Sequence, residues 1–114
     1  MIEYRVTAKR QDAHGSEARA KAASIVLDTD VKGRLDTFNP AELMLASLAA
    51  CMIKSVERVI PMIHFGLRGV EVKLHGVRQD SPPLMSSIGY ELIVDTIARA
   101  TKLEGVIRRK GPSP

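Results

Sequence analysis

The segment from Asn39 to Ile60 constrains the fold of this chain more than any other part of its sequence. Asparagine is a good N-cap, proline suits the first helical position, and a glutamate three residues after the cap completes a capping box. Asn39, Pro40 and Glu42 supply these three signals in order. The helix can continue to about Ile60, because Pro61 disfavours helical geometry in the residue before it. The sequence therefore predicts one long helix.

The first half of this helix is apolar on nearly every side. The run from Leu43 to Ile53 is interrupted only by Ser47, and it is well short of the roughly eighteen apolar residues that cross a bilayer. It predicts a core helix and no membrane span, and sheet, other helices or a partner subunit must cover it. A chain of 114 residues can fold alone with little reserve. We therefore expect a single domain over residues 1–114 that forms a homodimer.

Alternating patterns before the helix predict strands. Apolar and polar residues alternate from Ile2 to Lys9, which is typical of a strand with one buried face. Turn residues follow from Asp12 to Ser16, and Ala20 to Asp28 is interpreted as a second strand or strand pair. The segment from Asp28 to Phe38 is rich in loop residues and leads into the helix.

Two further strands are predicted after the helix. Residues 70–75 and 88–95 alternate in the same way, and the prolyl segment 78–83 between them is too long for a tight hairpin. Thr96 can cap a final helix that ends before Gly111. The order of N-terminal strands, long helix, two strands and helix predicts an α+β fold with antiparallel N-terminal strands around a buried central helix.

Composition and spacing argue against several classes of function. The net charge of +4 is spread along the chain and interleaved with acids, and aromatic residues make up only 4% of the sequence, so nucleic-acid binding is not predicted. His14, His64 and His75 are not spaced as metal ligands, and no glycine-rich phosphate loop follows a strand. We therefore predict no metal and no cofactor. A single cysteine and the absence of a signal-peptide pattern at Met1 predict a cytoplasmic protein.

The only cysteine, Cys51, lies about three turns into the predicted helix. Residues three, four and seven positions away share its face, which places Ser47, Lys54 and Arg58 on the same stripe. Two interpretations stay open. The two cations can favour the thiolate, which is the nucleophilic form of cysteine. Alternatively, Cys51 is a small buried hydrophobic residue, and the cations begin the solvated half of the helix.

Residues 39–51 resemble the central-helix signature of the OsmC/Ohr family, in which a proline opens the helix and a Leu/Ala-rich stretch leads to a reactive cysteine. Other segments resemble the strand, loop and strand that follow this helix in the family: 70–73, 76–80, 82–83 and 90–92. The resemblance covers residues from about Phe38 to Val94. It implies an intertwined homodimer whose two long helices are wrapped by sheets. It also implies a thiol-dependent peroxidase that acts on organic hydroperoxides or hydrogen peroxide.

In the mechanism that the resemblance implies, a thiolate attacks the O–O bond and becomes a sulfenic acid. A second cysteine then resolves the sulfenic acid to a disulfide, which an external dithiol reduces. Cys51 matches the attacking residue. The second cysteine of the family belongs to a turn near the end of the chain, where this sequence has Gly111 and Ser113. The sequence also stops where the family usually continues into a closing strand.

The resemblance points to two further candidate site residues. The family brings an arginine over the thiolate from its N-terminal strands, and Arg19 matches that position better than Arg10 does. In the organic-hydroperoxide branch a glutamate directly follows the proline, whereas here Ala41 holds that place and the acid comes next, at Glu42. Glu42 is thus a candidate acidic partner of the thiolate or a capping residue, and its spacing favours the cap.

The leading hypothesis is therefore an OsmC-like redox protein that uses Cys51, an external thiol reductant and a hydroperoxide substrate. The alternative is a non-catalytic OsmC-like dimer with an apolar cleft around Met44, Met52 and Met62. Methionine lines adaptable binding surfaces, so such a cleft would hold a small hydrophobic ligand or a partner protein. The missing second cysteine leaves it open whether the protein is an enzyme.

Overall fold

Two three-stranded antiparallel sheets and one long helix make up the fold. The computed structural model describes residues 2–63, 66–82, 84–96 and 100–108. The chain divides into two units, residues 1–44 and 45–114, and each unit contains one sheet. The helix α1 (Pro40–Val59) begins in the first unit and continues in the second.

The sheet of the first unit is a meander of three short strands. These are β1 (Thr7–Asp12), β2 (Gly15–Ala20) and β3 (Ala23–Asp28), paired in the order β1-β2-β3. A two-residue turn at Lys21 and Ala22 joins β2 to β3, and Lys21 adopts a φ of 56°, in the left-handed region. That region favours glycine or asparagine, so nothing in the local sequence marks this turn.

The sequence prediction for these strands is only partly right. The first strand begins at Thr7 rather than Ile2, because residues 2–6 form no regular structure. The prediction missed β2 altogether and placed a turn at its start. Its six residues, Gly15 to Ala20, include no β-branched or aromatic side chain, so strand propensity gives no signal there.

The helix α1 begins at the predicted residue with the predicted cap. The side-chain Oδ1 of Asn39 accepts a hydrogen bond from the N–H of Glu42 at 2.8 Å, and Glu42 Oε1 accepts one from the N–H of Asn39 at 3.0 Å. This reciprocal pair is a capping box. The helix ends at Val59 and passes into a 3₁₀ turn over Ile60–Ile63, close to the end predicted from Pro61.

The sheet of the second unit is built on two long strands. Its strands are β4 (Leu67–Gln79), β5 (Leu84–Thr96) and β6 (Ala100–Arg108), paired antiparallel in the order β4-β5-β6. Pairing of β4 with β5 continues to Gln79 and Leu84, so the prolyl segment forms a hairpin connection shorter than predicted. Leu45 of α1 packs against this sheet, since its Cδ1 lies 3.4 Å from the position that a Cβ at Gly76 would take.

The predicted C-terminal helix is wrong, because residues 100–108 form the strand β6. Thr96, the expected cap, ends β5 and pairs with Leu67. The segment also alternates with period two, and its apolar Leu103 pairs with Leu92 of β5. Pairing with the open edge of β5 therefore prevails over the weak helical periodicity. Residues 97–99 and 109–110 of the predicted helix lie outside the described residues.

Few apolar side chains are buried within one chain. Among the described residues, the only buried apolar residue is Ala18, and no residue of α1 is buried. The prediction of a buried central helix is therefore not met by a single copy of the chain. No helix in the described part of the chain is both long and apolar enough to cross a membrane.

Gly105 of β6 provides a test of the second sheet. It pairs with Tyr90, and a Cβ built at Gly105 would lie only 2.2–2.5 Å from atoms of the Tyr90 ring. We expect Gly105→Ala to lower the free energy of unfolding by about 1–3 kcal/mol, because the ring must move out of its packed position.

Gly89→Ala is the matched control for this substitution. Its nearest neighbour would be the His75 carbonyl at 3.8 Å, which is an ordinary contact. We therefore expect it to be neutral or slightly stabilising. Urea unfolding of the two variants and the wild type checks the difference, and equal stability of the two variants would contradict the packing of Tyr90 on Gly105.

Candidate active site

The thiol of Cys51 lies on an exposed face of α1. Ser47, Lys54 and Arg58, the residues predicted to share its stripe, are exposed on α1, as is Cys51 itself. Residues on the other side of the helix, such as Ala49, Ile53 and Val56, are half-buried. Cys51 is thus not a buried core residue of the single chain.

The two cations of this stripe, Lys54 and Arg58, are not paired with a carboxylate of the described residues. Lys54 and Arg58 follow Cys51 by three and seven residues, so both side chains extend from the same side of the helix. Neither forms an ion pair with another described residue. Cys51, Lys54 and Arg58 thus lie on one exposed face of α1.

The serine that follows Cys51 by one helical turn is bonded to the backbone. The hydroxyl of Ser55 donates a hydrogen bond to the carbonyl of Cys51 at 2.9 Å. This contact is the common bond of a helical serine to the carbonyl four residues earlier, and it occupies the hydroxyl proton. The proton of Ser55 is thus directed to the helix backbone rather than to the sulfur.

Glu42 is held by the cap of α1. Its Oε1 accepts the hydrogen bond from the N–H of Asn39 described above, and its own N–H donates to the Asn39 side chain. Ala41, which stands where the organic-hydroperoxide branch has its glutamate, has no group that could act as an acid or base. The contacts of Glu42 are therefore those of a capping residue.

Arg19 lies in the first unit, on β2. Its Nε donates a hydrogen bond to Glu17 Oε1, and its side chain is 72% exposed. A shallow cavity of about 670 Å³ opens on this sheet, and its lining residues are Thr7, Lys9, Arg10, Gln11, Glu17 and Arg19. Cys51 belongs to the second unit. The structure thus places the guanidinium of Arg19 against a carboxylate of its own strand.

Sequence reasoning missed one buried charged residue, Asp28. It is 4% exposed at the end of β3, where the sequence indicated only the boundary between a strand and a loop. The available signal was the pair of aspartates at 28 and 30, because an aspartate side chain readily bonds a backbone N–H two residues further on. Asp28 makes this bond to Asp30 at 3.0 Å.

The described residues offer no metal site. No group of three or more His, Cys, Asp or Glu side chains in residues 2–63, 66–82, 84–96 and 100–108 is placed to hold an ion. Gly111 and Ser113, which occupy the neighbourhood of the family's second cysteine, lie outside the described residues.

Comparisons with known proteins agree with the fold and with the resemblance of the central helix. A family model described as OsmC-like protein matches residues 32–109. The structure is similar to the crystal structure of an OsmC like protein from Mycoplasma pneumoniae, with a TM-score of 0.74 and 20% sequence identity. That match covers 84% of this chain and 71% of the other. No curated protein sequence matches the chain.

Substitution of Glu42 separates capping from chemistry. Glutamine retains an oxygen that can accept the bond from Asn39, so we expect Glu42→Gln to leave the rate of Cys51 oxidation by hydroperoxide within about twofold. Glu42→Ala removes the acceptor and is expected to lower the free energy of unfolding by about 0.5–1 kcal/mol. Urea unfolding and stopped-flow oxidation check these outcomes. A tenfold slower reaction in Glu42→Gln, with normal stability, would show that the carboxylate takes part in the chemistry.

Proposed function

Because the chain belongs to the OsmC-like protein family, we propose that it is a thiol-dependent redox protein that reduces organic hydroperoxides or hydrogen peroxide through Cys51. The exposure of Cys51 on α1, on the same face as Lys54 and Arg58, is the observation that carries this proposal. A nucleophilic thiol must be reachable by its substrate, and exposure on this face meets that condition.

The proposed reaction begins with attack of the Cys51 thiolate on one peroxide oxygen. A bond forms between sulfur and that oxygen while the O–O bond breaks, so the sulfur is oxidised to a sulfenic acid. The other oxygen leaves as an alkoxide or hydroxide and takes a proton to give an alcohol or water. Lys54 and Arg58 favour the thiolate at the start of this step through their positive charge.

An external thiol completes the proposed cycle. This sequence contains no second cysteine, so the sulfenic acid cannot close a disulfide within it. A small thiol instead condenses with the sulfenic acid, releasing water and leaving a mixed disulfide on Cys51. Attack by a second thiol molecule restores the Cys51 thiol and yields the oxidised form of the reductant.

Arg19 is the proposed arginine partner of the thiolate. It lies on β2, within the N-terminal strands from which the family brings its arginine. Its Nε is bonded to Glu17, which leaves the two terminal nitrogens of the guanidinium for another anion.

The proposed function is tested by the rate at which Cys51 reacts with cumene hydroperoxide at neutral pH. We expect the wild-type rate to be well above that of a model thiol. We expect Lys54→Ala and Arg58→Ala each to react about twofold to fivefold more slowly than the wild type, since each removes a cation that is proposed to favour the thiolate. Lys73→Ala is the control, because Lys73 is 63% exposed on β4 and pairs only with Glu71 among the described residues.

Intact-mass spectrometry identifies the product of the same reaction. With glutathione present we expect a mixed disulfide on Cys51, and without it the gain of two oxygen atoms. A wild-type rate equal to that of a model thiol, with no mass change under excess oxidant, would contradict a redox role. That result would favour the alternative, a non-catalytic dimer that binds a hydrophobic ligand or partner.

We also propose that the protein is a homodimer. Hydrophobic residues make up 45% of the sequence, yet among the described residues only Ala18 is a buried apolar residue and α1 buries none. The hydrophobic effect favours covering such a helix, and a second copy of the chain can supply the missing surface.

Sedimentation of the wild type and of one helix variant tests the dimer. We expect twice the chain mass of 12.5 kDa at micromolar concentration. Ala50→Lys should shift the protein toward monomer, because it places a large charged side chain at an exposed position of α1 that the second copy is proposed to cover. Asp80→Lys introduces the same residue in an exposed turn and should leave the dimer intact. A folded wild-type monomer would contradict the proposal.

A further inference from the structure

The loop between β3 and α1, residues 29–39, is organised by the buried carboxylate of Asp28. Its Oδ1 and Oδ2 accept hydrogen bonds from the backbone N–H groups of Asp30, at 3.0 Å, and Arg34, at 2.8 Å. The N–H of Asp28 donates to the carbonyl of Phe38 at 2.9 Å. One residue at the end of β3 thus holds the beginning, the middle and the end of the loop.

A second set of contacts joins this loop to the turn between β1 and β2. Arg34 Nη1 donates a hydrogen bond to the carbonyl of His14 at 3.3 Å, and Asp36 holds the same guanidinium through two hydrogen bonds of 2.9 and 2.7 Å. The hydroxyls of Ser16 and Thr29 are bonded to each other at 2.7 Å. None of these groups changes its charge near neutral pH.

The third contact between loop and turn does titrate near neutral pH. His14 Nδ1 lies 2.8 Å from Asp30 Oδ2, and the histidine side chain is 71% exposed whereas that of Asp30 is only 15% exposed. The other oxygen of Asp30 accepts the N–H of Lys32 at 2.9 Å. Asp12 also faces His14, because its Oδ1 accepts the N–H of His14 at 2.8 Å.

The charges around His14 favour its protonated form. The hydrogen bond to Asp30, with the negative charges of Asp30 and Asp12, raises the pKa of His14 above its usual value, although burial and Arg34 act in the opposite direction. The same hydrogen bond lowers the pKa of Asp30, and the backbone hydrogen bond from His14 is the largest cause that lowers the pKa of Asp12. Asp28 and Asp36 lie beside Arg34 and offset its charge.

We propose that the hydrogen bond between His14 and Asp30 is a pH-dependent contact, which holds the loop before α1 to the β1–β2 turn more tightly when His14 is protonated. Asp28 and Arg34 keep the loop folded at every pH near neutral, so the change is one of local opening rather than of fold. The proposal concerns the first unit alone and does not depend on any reaction of Cys51.

The direction of the pH dependence follows from linkage between protonation and stability. Because the pKa of His14 is raised in the folded protein, its stabilising contribution is fully present below its unfolded pKa and is lost as the pH rises through the folded one. The pKa of Asp30 is lowered, so its charge persists until the pH falls below the ordinary value of 3.8. The loop is therefore held most tightly near about pH 5 to 6.

Hydrogen exchange of the Lys32 and Arg34 amides, followed by NMR on the full chain, tests this proposal. These two amides bond to Asp30 and Asp28, so they report on opening of the loop. After correction for the chemical exchange rate, we expect their protection to fall by about twofold to fivefold between pH 6 and pH 8, as for an exposed ion pair. His14→Asn keeps a side chain of similar shape without the titratable group and is expected to remove this fall.

His75→Asn is the matched control, since His75 is exposed on β4 and belongs to the second unit. It is expected to keep the full pH dependence. A titration of the His14 ring by NMR, in the wild type and in Asp30→Asn, adds a measurement that needs no change at position 14. We expect the pKa of His14 to be lower in Asp30→Asn than in the wild type, because the variant lacks the carboxylate that raises it. Equal protection at the two pH values in the wild type, or an unchanged fall in His14→Asn, would overturn the proposal.

Discussion

The incomplete burial of α1 is the constraint on which the rest of this structure depends. The capping box at Asn39 fixes where the helix begins, and the sheet of the second unit covers one side of it through contacts such as Leu45 on Gly76. Among the described residues, the side that carries Cys51 is exposed. In the proposed dimer and the proposed reaction, the same side serves both assembly and chemistry, and the polar groups at 47, 54 and 58 distinguish it from a purely apolar interface.

The helix could be predicted from the sequence because its signals are local. A cap, a proline and a glutamate within four residues favour the start of a helix through hydrogen bonds and backbone angles of that segment itself. Their effect therefore depends little on distant parts of the chain. The strands β2 and β6 could not be predicted, because their pairing decides them. Gly15 to Ala20 has no strand propensity but lies between two partners, and residues 100–108 become a strand because β5 offers an open edge.

The candidate site residues, like the strands and the helix, could be predicted where local spacing determines their position and could not where distant contacts do. Helical spacing was sufficient to place Lys54 and Arg58 on the face of Cys51, because side chains three, four and seven residues apart necessarily share a face. The pairing of Arg19 with Glu17 could not be foreseen, since it requires both the strand and the rotamers of its side chains. Asp28 was missed for a related reason. Its burial arises only when the loop folds back from Asp30 to Phe38.

The close approach of Arg34 to Gly15 has a consequence for how the sequence can vary during evolution. Nη1 of Arg34 occupies the space in which a side chain at position 15 would begin, 2.6 Å from the place of its first carbon. A homologue with a larger residue at 15 would need the guanidinium of residue 34 to move aside, or a shorter side chain at 34, whereas position 34 can become smaller while glycine remains at 15. Of these two positions, nineteen residues apart, the glycine is thus expected to be the one whose variation depends on the other.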